Sequence, residues 1–121
     1  MKEMDDLLEI TTTLIEPGGC PWDAQQTLRS LQKYFLEEVH EVVEAIDRDD
    51  AKNMSEELGD VFYLILFAAK IAEKQQLFSI QDVISEQKEK LIRRHPHVFS
   101  KEKSDSSLSI EELEAKWDAI K

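Results

Sequence analysis

Apolar positions recur at helical spacing along most of this chain. Leu7, Leu8, Ile10, Thr11, Leu14 and Ile15 form one stripe within a helix predicted from about Lys2 to Ile15. The stripe stops at Glu16-Pro17-Gly18-Gly19-Cys20-Pro21, a stretch holding two of the three prolines and two of the three glycines. This is the strongest turn signal in the sequence. Asp23 with Gln26 resembles a capping box, and Thr27 is a second possible cap, for a helix reaching about Arg48. After Arg48-Asp49-Asp50, a third helix is predicted from about Ala51 to Gln75. Its centre (Leu58, Val61, Phe62, Leu64 to Ala69, Ile71) is apolar on most sides, which predicts burial by neighbours on more than one face. Ser79 with Asp82 opens a fourth helix to about Arg93, and Ser109 with Glu112 a short last one through Trp117. Residues 101–107 between them read as a polar linker.

The pattern therefore predicts an all-α fold, a helical bundle of about four to five helices. One domain is expected over 1–121, with a core at about 7–99, a polar linker at about 101–108 and a C-terminal helix at about 109–121. A chain of 121 residues, 41% hydrophobic, has material for a core. A domain this short buries only about two-thirds of its unfolded surface, so oligomerisation would add stability.

Charge narrows the partners. Lys plus Arg number 15 against 26 Asp plus Glu, a net charge of −11, which disfavours nucleic acid or an anionic membrane and favours cations. No apolar run approaches the roughly 18 residues of a membrane span. Met1-Lys2-Glu3-Met4-Asp5-Asp6 carries acids where a signal peptide would be basic and then apolar, so the expected location is cytoplasmic. The single cysteine, Cys20, has no internal disulfide partner and no zinc-knuckle spacing.

The acids carry the chemistry. At about 100° per residue, Glu38 falls on the face of the second helix that bears Leu31, Phe35, Val42 and Ala45, with Glu41 on its flank. Glu57 and Asp60 fall in the stripe continued by Leu64, Phe67, Ala68 and Ile71. All four carboxylates are thus expected to turn inward, where ionised groups are costly unless a cation pairs with them. Oxygen-only ligation without cysteine suits Mg²⁺ or Mn²⁺, ions that share their shell with substrate phosphates. Glu-rich helices also admit a blander reading, in which Glu37, Glu44, Glu56 and Asp47 form a solvated face. Glu37 and His40 further form a Glu-x-x-His step like those of di-iron bundles, although the third helix has Asp60 where the second histidine would stand.

Taken in order, Cys20-Pro21-Trp22-Asp23, Glu37-Glu38-Val39-His40-Glu41, Glu56-Glu57-Leu58-Gly59-Asp60 and Arg93-Arg94-His95-Pro96-His97-Val98-Phe99 resemble the MazG family of nucleoside triphosphate pyrophosphohydrolases. The resemblance covers about Leu7 to Phe99, and Lys116-Trp117-Asp118-Ala119-Ile120-Lys121 looks like the family's C-terminal helix. It implies an all-α fold that assembles as a homodimer or homotetramer. It also implies a Mg²⁺-dependent site that cleaves an NTP or dNTP to the monophosphate and pyrophosphate.

On matching positions, Glu38, Glu41, Glu57 and Asp60 would be metal ligands, with Glu38 and Glu37 in catalytic roles, Glu37 by positioning water or contacting a second metal. The family reading gives Lys90 and Arg94, or Arg93, to phosphate oxygens, and Trp117 or Trp22 to stacking on the base. A basic residue often found one turn before the Glu-x-x-Asp pair is Asn53 here, and only one copy of the motif set is present. Two other readings stay open. One is a non-catalytic dimerisation module whose acids pair with Arg29, Arg48 or Lys70 of another subunit. The other is a diphosphate- or dUTP-selective hydrolase on a related scaffold.

Overall fold

Local chemistry at two short segments decides how the first half of the chain folds. In the computed structural model, which describes residues 1–99 and 108–120, α1 (Lys2–Ile15) ends at the Pro-Gly-Gly-Cys-Pro turn. Gly18 there adopts φ +91°, a conformation that side chains disfavour. Gly19 lies against α1 so closely that a Cβ would meet the Thr13 and Leu14 carbonyls. Pro21 then opens a short α2 (Pro21–Gln25), where its missing N–H is no loss.

Asp23 therefore sits inside α2 and does not start the long helix, which is a correction to the Asp23–Gln26 capping box. Thr27 is the cap of α3 (Leu28–Asp47). Its Oγ1 accepts from the Ser30 N–H at 3.0 Å, while Ser30 Oγ accepts from the Thr27 N–H at 2.9 Å.

The chain reverses at Arg48-Asp49-Asp50. Asp49 takes φ +52°, and the Asp50 side chain accepts from the Asn53 N–H to cap α4 (Ala51–Lys74). α3 and α4 form a helical hairpin, against which α1 packs through α4. Ile15, Leu31, Phe67 and Ile71 are the buried centre, surrounded by Leu28, Tyr34, Phe35, Tyr63, Leu64 and Ala68. Thr11, also buried, satisfies its hydroxyl on the Leu7 carbonyl at 2.8 Å.

Burial of α4 on most sides holds only for its second half. Leu58, Phe62 and Ile65 are exposed, and so are Leu36, Val39, Val43 and Ile46 of α3, at helical spacing on one face. The pattern marks these positions as apolar correctly, but no described residue of the first 80 covers them.

Residues 1–80 form one compact unit and 81–121 another. The second carries α5 (Ile80–Arg94, beginning at the boundary), α6 (Pro96–Phe99) and α7 (Ile110–Ile120). His95 separates α5 from α6, its Nδ1 2.6 Å from the Leu91 carbonyl. Ser109 caps α7 by accepting from the Glu112 N–H at 3.2 Å. The predicted linker at 101–107 lies outside the described residues. Among the described residues there are seven helices and no strand, the additions to the expected count being the short α2 and α6. None of the helices is long and apolar enough to cross a membrane.

Candidate active site

The hairpin places the acids. Glu38 stands 11 residues before Asp49 and Asp60 stands 11 after it, while Glu41 and Glu57 stand 8 before and 8 after. In two antiparallel helices joined by a tight turn, equal distances from the turn bring residues to the same level. Ligand-type oxygens of Glu38, Glu57 and Asp60 accordingly lie within 4.8 Å of one another. Glu41 is outside that group, yet its charge acts on Glu57.

These carboxylates do not enter the core as the helical wheel suggests. Glu38 and Glu57 are half-buried and Asp60 is exposed, at the mouth of a cleft. The wheel marks the apolar side of each helix, but it does not show where two helices diverge enough to admit solvent.

Crowding has an electrostatic consequence. Loss of hydration, a hydrogen bond with Glu38, and the negative charges of Asp60, Glu38 and Glu41 together push the Glu57 carboxyl above its ordinary 4.5. Asn53 supports the same carboxyl. With its amide nitrogen toward α4, it donates to Glu57 Oε1 at 3.3 Å, and its oxygen accepts from Arg48 Nη2 at 3.1 Å. Asn53 thus links an arginine to the acid pair at the position where the resemblance expects a base.

The cleft behind the acids has a volume of about 230 Å³. Its walls combine Trp22 and Asp23 of α2, Tyr34 and Glu38 of α3, and Asp60, Tyr63 and Phe67 of α4. Trp22, half-exposed, meets Tyr34 edge-on with ring centroids 5.8 Å apart. The Tyr63 hydroxyl is buried and has no hydrogen-bond partner among the described residues. Burial, then Asp23 and Cys20, hold its proton on more tightly than in a free phenol. Tyr34 and Tyr63 were not singled out from the sequence, and Asp23 only as a cap and as part of a motif. Their signal was present, since Tyr34 precedes Glu38 by one turn and Tyr63 follows Asp60 by one.

The other candidates are distributed as follows. Glu37 is exposed on α3 and outside the carboxylate group. His40 faces solvent and pairs with Glu44 at 2.9 Å. It therefore adds no nitrogen to the carboxylate group. In the second unit, Arg93 is exposed and Lys90 half-buried. The Arg94 guanidinium lies over the Trp117 ring, 4.7 Å from its centroid, and its Nε is buried with no partner among the described residues. His95 approaches the same indole, at 5.2 Å between centroids.

Comparison with known proteins agrees with this arrangement. Residues 26–99 match the model of the MazG nucleotide pyrophosphohydrolase domain. The chain is 45% identical, over 95% of its length, to the nucleoside triphosphate pyrophosphohydrolase/pyrophosphatase MazG of Thermotoga maritima. It is 39% identical over its whole length to the nucleoside triphosphate pyrophosphohydrolase of Escherichia coli K12. It spans 47% and 45% of the lengths of these two relatives. The crystal structure of a MazG-related protein from Thermotoga maritima superposes with a TM-score of 0.78 at 30% identity, covering 96% of each chain. The fold, the hairpin of acids and these similarities together show that the chain belongs to the MazG nucleotide pyrophosphohydrolase domain family.

Proposed function

We propose that this chain is a Mg²⁺-dependent nucleoside triphosphate pyrophosphohydrolase, which splits an NTP or dNTP into the monophosphate and pyrophosphate and clears unwanted nucleotides from the pool. Mn²⁺ is an alternative cation. The observation that carries this reading is the group of three carboxylates at the mouth of an aromatic-lined cleft.

The donor set fits a hard divalent ion: every ligand is an oxygen, and the oxygens of Glu38, Glu57 and Asp60 lie within 4.8 Å of one another. Glu38, Glu57 and Asp60 would hold the ion, with Glu41 from the next turn. When bound, it neutralises triphosphate charge and activates water for attack at the α-phosphorus. Glu37 is assigned the positioning of that water. Arg94, with an unsatisfied buried Nε, has a donor to offer a phosphate oxygen, and Lys90 and Arg93 add positive charge on the same helix. Trp22 or Trp117 offers a ring face to the base.

A second copy of the chain is proposed to cover Leu36, Val39, Val43 and Ile46, giving a homodimer or a homotetramer built from it. The test of the reaction is release of monophosphate and pyrophosphate from a panel of NTPs and dNTPs, with Mg²⁺, with Mn²⁺ and with EDTA. Metal-dependent release of both products supports the reading. A folded, metal-loaded protein that turns over no nucleotide refutes it.

A further inference from the structure

Tyr63 projects into the cleft from α4, one turn beyond Asp60. Its ring packs edge-on against Phe67, with centroids 5.7 Å apart, which seats one side of it on the core. Its oxygen is nevertheless shut off from water without a partner among the described residues. A buried hydroxyl left unpaired opposes folding, and phenylalanine would fill the same space without that cost. An unpaired donor just beneath the wall of an open cleft is most simply completed by a ligand, toward which the side chain turns by the small distance that now hides its oxygen.

The character of the cleft indicates which part of a nucleotide that is. Phosphates belong with the cations that neutralise them, at the carboxylate end. The cleft also holds Trp22, Tyr34, Leu64 and Phe67, a setting for a flat ring, and Asp23 is its one carboxylate outside the group that would hold the cation. Asp23 repels phosphate but accepts from an N–H. Its charge is felt by the Tyr63 phenol, which stays protonated and donates.

We propose that Tyr63, together with Asp23, reads the hydrogen-bonding edge of the substrate's base, the hydroxyl donating to a base acceptor while the carboxylate accepts from a neighbouring base donor. Adenine and cytosine present an amino group beside a ring nitrogen; uracil, thymine, hypoxanthine and guanine present an N–H beside a carbonyl. One donor and one acceptor therefore demand a base without choosing among bases. This assignment rests on the pyrophosphohydrolase reading and adds a specificity-determining residue to it.

The experiment compares Tyr63→Phe with wild type on an NTP and on ribose 5-triphosphate, which keeps the sugar and phosphates and lacks the base. The ratio of kcat/KM for the two substrates is taken within each protein, so it does not depend on the fraction folded. The expected result is a ratio about tenfold lower in Tyr63→Phe, carried by KM of the NTP, with a melting temperature no lower than wild type. An unchanged ratio overturns the proposal, whether activity on both substrates falls together or not at all. Wild type inert toward every nucleotide would sink the pyrophosphohydrolase reading and this one with it. Active wild type with an unchanged ratio sinks only this one.

Discussion

Glu38 of α3 and Glu57 of α4 face each other across the hairpin, with ligand-type oxygens within 4.8 Å, and loss of hydration together with the neighbouring acids holds the Glu57 carboxyl above its ordinary range. A raised folded-state pKa favours the native state below the unfolded value, and the benefit disappears as pH climbs through the folded value. In EDTA, the melting temperature of wild type relative to Glu57→Gln should therefore fall as pH rises from 4.5 through the raised range. A thermal scan across pH checks this; a difference that stays level or grows with pH contradicts it.

On the proposed reading a divalent ion, rather than a proton, relieves the crowding of these carboxylates. Mg²⁺ or Mn²⁺ at about 100 times its dissociation constant should stabilise the native state by about 2.7 kcal/mol. Glu38→Gln and Asp60→Asn should each lose most of this gain and more than about 100-fold in turnover, with helicity by circular dichroism preserved. Wild-type turnover in either variant would remove that residue from the ligand set.

Gly18 and Gly19 respond differently to alanine. At Gly18 there is open space, and the cost comes from φ +91° alone, about 1–2 kcal/mol. At Gly19 the new carbon meets backbone carbonyls of α1 that cannot rotate away, so Gly19→Ala should destabilise more than Gly18→Ala. Denaturant midpoints of the two variants settle the order.

The exposed stripe on α3 makes a prediction about assembly. Val43→Glu places a charge in the middle of the row formed by Leu36, Val39 and Ile46. Light scattering after size exclusion should show wild type as a dimer or tetramer and the variant shifted toward monomer. Identical masses would leave the stripe unexplained by self-association.

Arg94 over Trp117 couples the proposed phosphate donor to an aromatic ring. Arg94→Lys keeps the charge and loses both the planar stack and the forked donors. It should raise KM for the triphosphate by about tenfold. If kcat falls instead with KM unchanged, Arg94 acts in the transition state alone.

Much of this was legible in the residues. Helix α1 and the body of α4 follow from apolar period and punctuation, and the MazG resemblance quoted the acids now grouped at the cleft. The Asp23–Gln26 pair misled because Pro21 and Gly19 bend the chain into a separate short helix, and a cap motif carries no information about such a bend. The outward side of early α4 looked like core because apolar spacing is the same whether the covering surface belongs to this chain or to another. Tyr63 went unmarked since a tyrosine among apolar neighbours reads as packing; only its lone buried oxygen sets it apart.

On the proposed reading of the cleft, the turn at Gly19 also ties substrate choice to a helix that carries none of the site residues. The Cys20 N–H donates to the Leu14 carbonyl at 2.9 Å, anchoring α2 and thus Trp22 and Asp23 to the end of α1. Selectivity in this scaffold can accordingly drift through changes in α1 that leave every cleft side chain in place, and a mutational library confined to the cleft would sample only part of the available substrate range.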